Sequence, residues 1–159
     1  MKPSLSEILA LDLLTLREHT ERAGDVFDAD RHRAALQVSM DVSQICSVRR
    51  AGQLVAYAML RRESQTCWFV TGLGTHPLHR TAGVVRELLS QLAGLATTLG
   101  IVAMRSHVYK TNHLSMAFHR KLGFNITREN QKGVEFFALV STLGRHSLMQ
   151  RVASNRPAA

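Results

Sequence analysis

At 159 residues, with 45% apolar content and a net charge of +8, the chain has the size and composition of a single globular domain with a sizeable core. No stretch reaches the ~18–20 apolar residues of a membrane span, and no basic start with an apolar run and cleavage site is present, so the expected location is the cytoplasm. The positive charge favours polyanionic ligands, but Lys and Arg are scattered, with only short pairs such as Arg49–Arg50 and Arg61–Arg62; that reads as a solvated surface rather than a nucleic-acid face.

Ser4 and Glu7 form a capping-box pattern ahead of Ile8, Leu9, Leu11, Leu13, Leu14 and Leu16, which predicts a helix ending before Gly24. Asp28 or Asp30 caps a second helix over residues 31–40. Residues 45–50 and 54–61 flank Ala51-Gly52-Gln53, a hairpin signal. A further strand covers 66–73. Val84, Leu88, Leu92, Leu95 and Leu99 mark one side of a helix over 83–99, which Gly100 stops. Then come a strand over 101–109, a helix over 112–122 stopped by Gly123, and a hairpin of strands 124–128 and 134–140. From Ser141 a short helix is expected before the tail frays at residues 155–157. Cys46 and Cys67 fit neither a disulfide framework nor a common zinc module, so both are expected as buried, reduced thiols in strands, and no metal is called for. The order is mixed α/β. The helical crossover makes the strands at 66–73 and 101–109 a parallel pair.

The stretch from Thr75 to Leu89 reads strand, turn, helix. The first amides of a helix have no intrahelical partner, and with the helix dipole they attract anions, phosphate above all. Arg80 adds positive charge there, and Gly83 lets a ligand approach the backbone. Thr81, Ala82, Val84 and Val85 complete a candidate pyrophosphate cradle.

Arg80–Val85 also resembles the pyrophosphate loop of the GNAT superfamily of acyl-CoA N-acyltransferases. A second block, Asn112 to Phe124, is similar to that family's Asn-then-Tyr helix ending in Gly-Phe. The resemblance extends over residues 44–140, and the first forty-odd residues do not match it. It implies a mostly antiparallel mixed sheet flanked by helices, with a splayed parallel pair between which the pantetheine arm enters. It organises the chain as a helical N-terminal part (1–43), a core (44–140) and a tail (141–159). The family's usual first strand is not evident; the N-terminus reads helical.

The resemblance implies acyl transfer, most simply acetyl, from CoA to a primary amine by direct attack, the acceptor being a small-molecule amine or a peptide. A longer acyl chain, delivered by CoA or by an acidic acyl carrier protein, is one alternative. A non-catalytic CoA-binding or protein-interaction domain is another. Backbone amides around Leu73 to Thr75 become the oxyanion donors. Gly72 and Gly74 either expose that backbone or only make a bulge. His119 occupies the family's Tyr slot, as acid for the leaving thiolate or as an ordinary, partly exposed helix residue; Tyr109 is the runner-up. Asn112 and Ser115 share a helix side, and the family's Asn contacts the CoA arm; Asn112 is equally a plain N-cap. The strand at 66–73 lacks the carboxylate many relatives carry, leaving His76, His107 or a relayed water as base. Arg105, inside an apolar strand, pairs internally or holds an acceptor carboxylate. Val85 replaces the usual Gly or Ala and narrows the pyrophosphate approach.

Overall fold

A computed structural model describes residues 1–143. α1 (Leu5–Thr15) starts at the expected capping box: Ser4 Oγ accepts from the Glu7 amide at 3.2 Å, and Glu7 Oε2 accepts from the Ser4 amide at 2.8 Å. The single helix expected up to Gly24 is divided. α2 (Arg17–Arg22) begins after Leu16. Thr15 Oγ1 donates back to the Leu11 carbonyl at 3.0 Å, a bond that bends helices. α3 (Ala29–Val42) is longer than expected at both ends, and Asp28, not Asp30, is its cap.

β1 (Ser43–Arg50) and β2 (Gln53–Arg62) form a hairpin whose turn residues, Ala51 and Gly52, have φ of +47° and +81°. Positive φ at both positions matches the twist of the flanking strands. β3 (Cys67–Thr75) leads through a 3-10 turn (Pro77–His79) into α4 (Ala82–Leu99). β4 (Ala103–Tyr109), α5 (His113–Leu122), β5 (Asn125–Glu129), β6 (Gly133–Leu139) and α6 (Val140–Leu143) follow. Gly100 and Gly123 end α4 and α5 in the left-handed region, as expected. Beyond Leu143 the expected tail lies outside the described residues.

The sheet has 6 strands in the order β1-β2-β3-β4-β6-β5. Every neighbouring pair is antiparallel except β3 and β4, which run parallel across the α4 crossover. α1 and α3 cover one face, with Ile8, Leu11, Leu36 and Met40 packed on Leu54, Tyr57 and Met59. On the other face, Val84 and Leu88 of α4 meet Cys46, Val48, Ala56 and Ala58. Farther along, Leu89 and Ala96 join Met116 and Leu122 of α5 over Met104, Val108 and Phe136. With both faces covered, β2 is buried from Leu54 through Leu60. Both cysteines are free; Cys46 is buried as expected, but Cys67 is only half-buried.

The β3–β4 ladder is short. It runs from the Cys67–Ala103 pair to the Val70–Ser106 pair and stops. Beyond it, residues 72–75 pair with β2 alone, while 107–109 pair with β6 alone. Thr71 is the extra residue of a bulge against β2, where Met59 faces Gly72 and Leu60 faces Val70. The neighbouring glycines have a separate cause. A Cβ on Gly72 or on Gly74 would come within 2.9 Å of the Tyr57 ring. Tyr57 thus lies flush on this strand, and only glycine leaves it room.

Candidate active site

Two cavities meet where β3 and β4 part. One, of about 240 Å³, passes Thr75, Arg80, Val85 and Leu88. The other, of about 770 Å³, is walled by Phe27, Arg31 and His32 on one side and Thr71, His107 and Tyr109 on the other. Leu16, His19, Leu73, Asn112 and Ser115 line both. The smaller cavity therefore connects the start of α4 with the strand gap, and the larger one opens the gap towards the N-terminal helices.

At the start of α4, Thr81 Oγ1 accepts from the Val84 amide at 3.3 Å, and the Thr81 carbonyl accepts from the Val85 amide at 3.1 Å. The amides of Ala82 and Gly83 have no partner among the described residues, which narrows the expected cradle to that pair. A Cβ on Gly83 would meet only Thr81 Oγ1, at 4.0 Å. No packing contact calls for glycine here; its effect is to keep the space before the helix clear. Arg80 is exposed and makes no ion pair with a described residue. Val84 is 2% exposed, packs in the core and lines none of the described cavities. Val85 lines the smaller cavity.

Asn112 caps α5, its Oδ1 accepting from the Ser115 amide at 3.1 Å, and also lines both cavities. His119 is not a partly exposed helix residue: it is 3% exposed and caged. Its ring stacks on Phe136 at 4.8 Å and meets Phe124 edge-on. Nδ1 lies 2.8 Å from the Ser115 carbonyl and Nε2 lies 3.0 Å from Ser106 Oγ. Burial lowers its pKa below the ordinary histidine value, against a smaller opposite effect of the Ser115 carbonyl. It is therefore neutral near pH 7, and its edge reaches the larger cavity beside Ser106.

The remaining expectations separate. His76 lines none of the described cavities. Its Nδ1 accepts from the Leu78 amide at 3.2 Å, capping the 3-10 turn, and its ring abuts His79. That placement removes it from the gap, because the chain turns away directly after Thr75. His107 does line the larger cavity, but it is 61% exposed and bonded to Glu135 at 3.1 Å. The Tyr109 hydroxyl donates to Asp25 Oδ2 at 2.7 Å, and burial followed by that bond raises its pKa, which disfavours proton donation. Arg105 pairs internally, with both Glu63 oxygens (2.6 and 2.9 Å) and with Glu135 (2.5 Å).

Two histidines at this site escaped the sequence reading. His19 of α2 lines both cavities, and its Nδ1 is buried without a hydrogen-bond partner. His32 of α3 stands in the wall of the larger cavity, with Nε2 2.7 Å from Asp12 Oδ2. The available signal was Asp12 itself, a charge on the leucine-rich face of α1, since buried charges need partners. Nothing in the pattern pointed to a partner 20 positions away.

A mixed sheet with one short parallel pair that opens beside an anion-ready helix start is the fold of the GNAT acyltransferases. A family profile described as Acetyltransferase (GNAT) family matches residues 8–124, and the chain belongs to that family. The match reaches back to Ile8, so the N-terminal helices, expected to fall outside the resemblance, are part of it. Compared by sequence with curated proteins, the chain matches none. Among solved structures it is similar to the PaiA N-acetyltransferase from Thermoplasma acidophilum in complex with coenzyme A: TM-score 0.68 and 13% identity over 85% of this chain and 92% of that one. It is also similar to aminoglycoside 6'-acetyltransferase type Ii, with TM-score 0.66 and 15% identity over 85% and 88% of the two chains. A third is ribosomal-protein-alanine N-acetyltransferase from Brucella melitensis, with TM-score 0.59 and 17% identity over 88% and 98%. At these identities the likeness is one of fold.

Proposed function

We propose that this protein transfers an acyl group, acetyl in the simplest case, from CoA to a primary amine by direct attack. The observation that carries the reading is the meeting of two cavities at Leu73, Asn112 and Ser115, one running to the start of α4 and the other to the N-terminal helices. CoA takes the first, with its pyrophosphate against the Ala82 and Gly83 amides and Arg80. The acceptor takes the second. Backbone of residues 73–75, unpaired on the β4 side, supplies donors to the developing oxyanion. That one similar structure is by name a ribosomal-protein-alanine N-acetyltransferase, and another an aminoglycoside 6'-acetyltransferase, supports the amine as acceptor class. The test is thiol release from acetyl-CoA over alkylamines, an aminoglycoside and peptides with free N-termini. Amine-dependent release supports the reading, whereas CoA binding without release under any amine identifies a non-catalytic CoA-binding domain.

A longer acyl chain is the second reading. A cavity of about 220 Å³ between α4 and α5, lined by Leu60, Leu89, Leu92 and Leu122, also borders Val70, Leu73 and His119 of the gap. Comparing turnover of acetyl-, butyryl- and octanoyl-CoA decides between the two.

A further inference from the structure

Asp12 is 1% exposed, within the cluster where Ile8, Leu11, Leu36 and Tyr57 join α1, α3 and β2. A carboxylate in such surroundings is strongly destabilising unless it is paired and fully hydrogen-bonded. Both of its oxygens are occupied. The Tyr57 hydroxyl donates to Oδ1, and His32 Nε2 approaches Oδ2 at 2.7 Å. A carboxylate only accepts, so Nε2 carries the proton, and in the neutral ring Nδ1 holds the lone pair. Nδ1 makes no hydrogen bond to any described residue. The ring rests against Phe27, with centroids 5.0 Å apart, and its side chain is 28% exposed at the wall of the larger cavity. A buried carboxylate thus holds one imidazole in a single tautomer, with Nδ1 uncommitted, in a residue that lines the larger cavity.

We propose that His32, oriented by Asp12, is the base that takes the proton from the acceptor's ammonium; this rests on the acyl-transfer reading above. The ammonium gives one proton to Nδ1 and keeps the electron pair of that N–H bond. The free amine attacks the thioester carbonyl carbon, a C–N bond forms, and the C–S bond breaks with its electrons going to sulfur. The second proton of the attacking nitrogen goes to the thiolate, and His32 returns its own to water. The products are amide and CoA thiol, with one proton released overall.

The other charged or titratable groups around this cavity are less suited. Asp28 and Arg31 flank His32 on α3, and Asp28 is committed to capping that helix. Asp25 is bound by Tyr109 and Lys132, and His107 by Glu135. His19 has an uncommitted nitrogen but no carboxylate behind it, which makes it the natural comparison.

The experiment follows thiol release from acetyl-CoA with butylamine, kanamycin and an alanyl tripeptide, for the full chain and for His32→Ala, His32→Gln, Asp12→Asn and His19→Gln. Circular dichroism and CoA calorimetry check that each variant is folded and binds. His32→Ala is expected to lose at least ~100-fold in turnover, the range of lost general-base catalysis, with CoA affinity within about threefold. Added imidazoles should restore the His32→Ala rate in proportion to their basicity, after subtraction of the rate without enzyme. Should Asp12→Asn fail to fold, the His32 variants and the rescue series decide alone. Full turnover in folded His32→Ala, or rescue independent of basicity, overturns the proposal while leaving acyl transfer intact. Wild type that releases thiol with none of these amines overturns both.

Discussion

Ser106 donates its hydroxyl proton to His119 Nε2 across 3.0 Å. The direction follows from the other side of the ring. Nδ1 lies 2.8 Å from the Ser115 carbonyl, which can only accept, so the single proton of the neutral imidazole is on Nδ1. His119 is therefore an acceptor towards the strand gap, and the hydroxyl beside it is the polar group that the gap sees.

His119→Phe keeps the stack on Phe136 but leaves the Ser106 hydroxyl without its partner in a buried position. We expect a stability loss of ~1–3 kcal/mol by denaturant titration, the usual cost of an unsatisfied buried polar group. Turnover should fall at least ~10-fold, with CoA affinity within about threefold. His119→Tyr should recover part of the rate at a further cost in packing. Full turnover in the Phe variant would restrict His119 to a structural role.

The lowered pKa of His119 also makes stability depend on pH. Burial holds it below its ordinary 6.5, so below that pH the unfolded chain binds a proton that the folded chain resists. Its contribution is therefore fully present above pH 6.5 and declines as the pH falls towards and through the folded value. Melting temperatures of wild type should drop more than those of His119→Phe as the pH is lowered from 7 to ~5. Parallel curves would contradict this.

Gly83→Asp separates binding from folding. An acidic residue in the first turn of a helix is favourable, and a Cβ here meets nothing closer than 4.0 Å, so α4 should be unharmed. The same carboxylate faces the expected pyrophosphate. CoA affinity by calorimetry should fall at least tenfold, ~1.4 kcal/mol, with an unchanged melting temperature. Retained affinity would move the CoA site elsewhere.

Glu7 ties α1 to the sheet. Arg49 donates to both of its oxygens (2.6 and 2.9 Å), and with the Ser4 amide this holds the Glu7 pKa down to about 2 from 4.5. A depressed carboxylate pKa gives stability that is present above 4.5 and lost as the pH falls through about 2. Glu7→Gln should be less stable than wild type at neutral pH, and the gap should close on acidification through that window. A gap of constant size would argue against the ion pair.

The chain order of helices and strands was legible because its signals are local. Ser4, Asp28, Thr81 and Asn112 cap helices through amides two or three positions ahead, and Gly100 and Gly123 end helices where left-handed backbone is required. The Ala51-Gly52 turn sets the first hairpin, and a helical crossover makes β3 and β4 parallel. The start of α4 reads as an anion site for the same reason, since unpaired amides, Arg80 and Gly83 are neighbours in sequence. Only the tertiary structure decided what surrounds the gap. It set Tyr57 against Gly72 and Gly74, brought Tyr57 and Asp12 together across 45 positions, and joined Asp12 to His32 across 20. It also enclosed His119 between Ser106, 13 positions earlier, and Phe136. Periodicity tells which face of an element is buried. It does not tell which polar group on another element will meet a charge there, because that depends on how helices dock on the sheet after the local structure has formed.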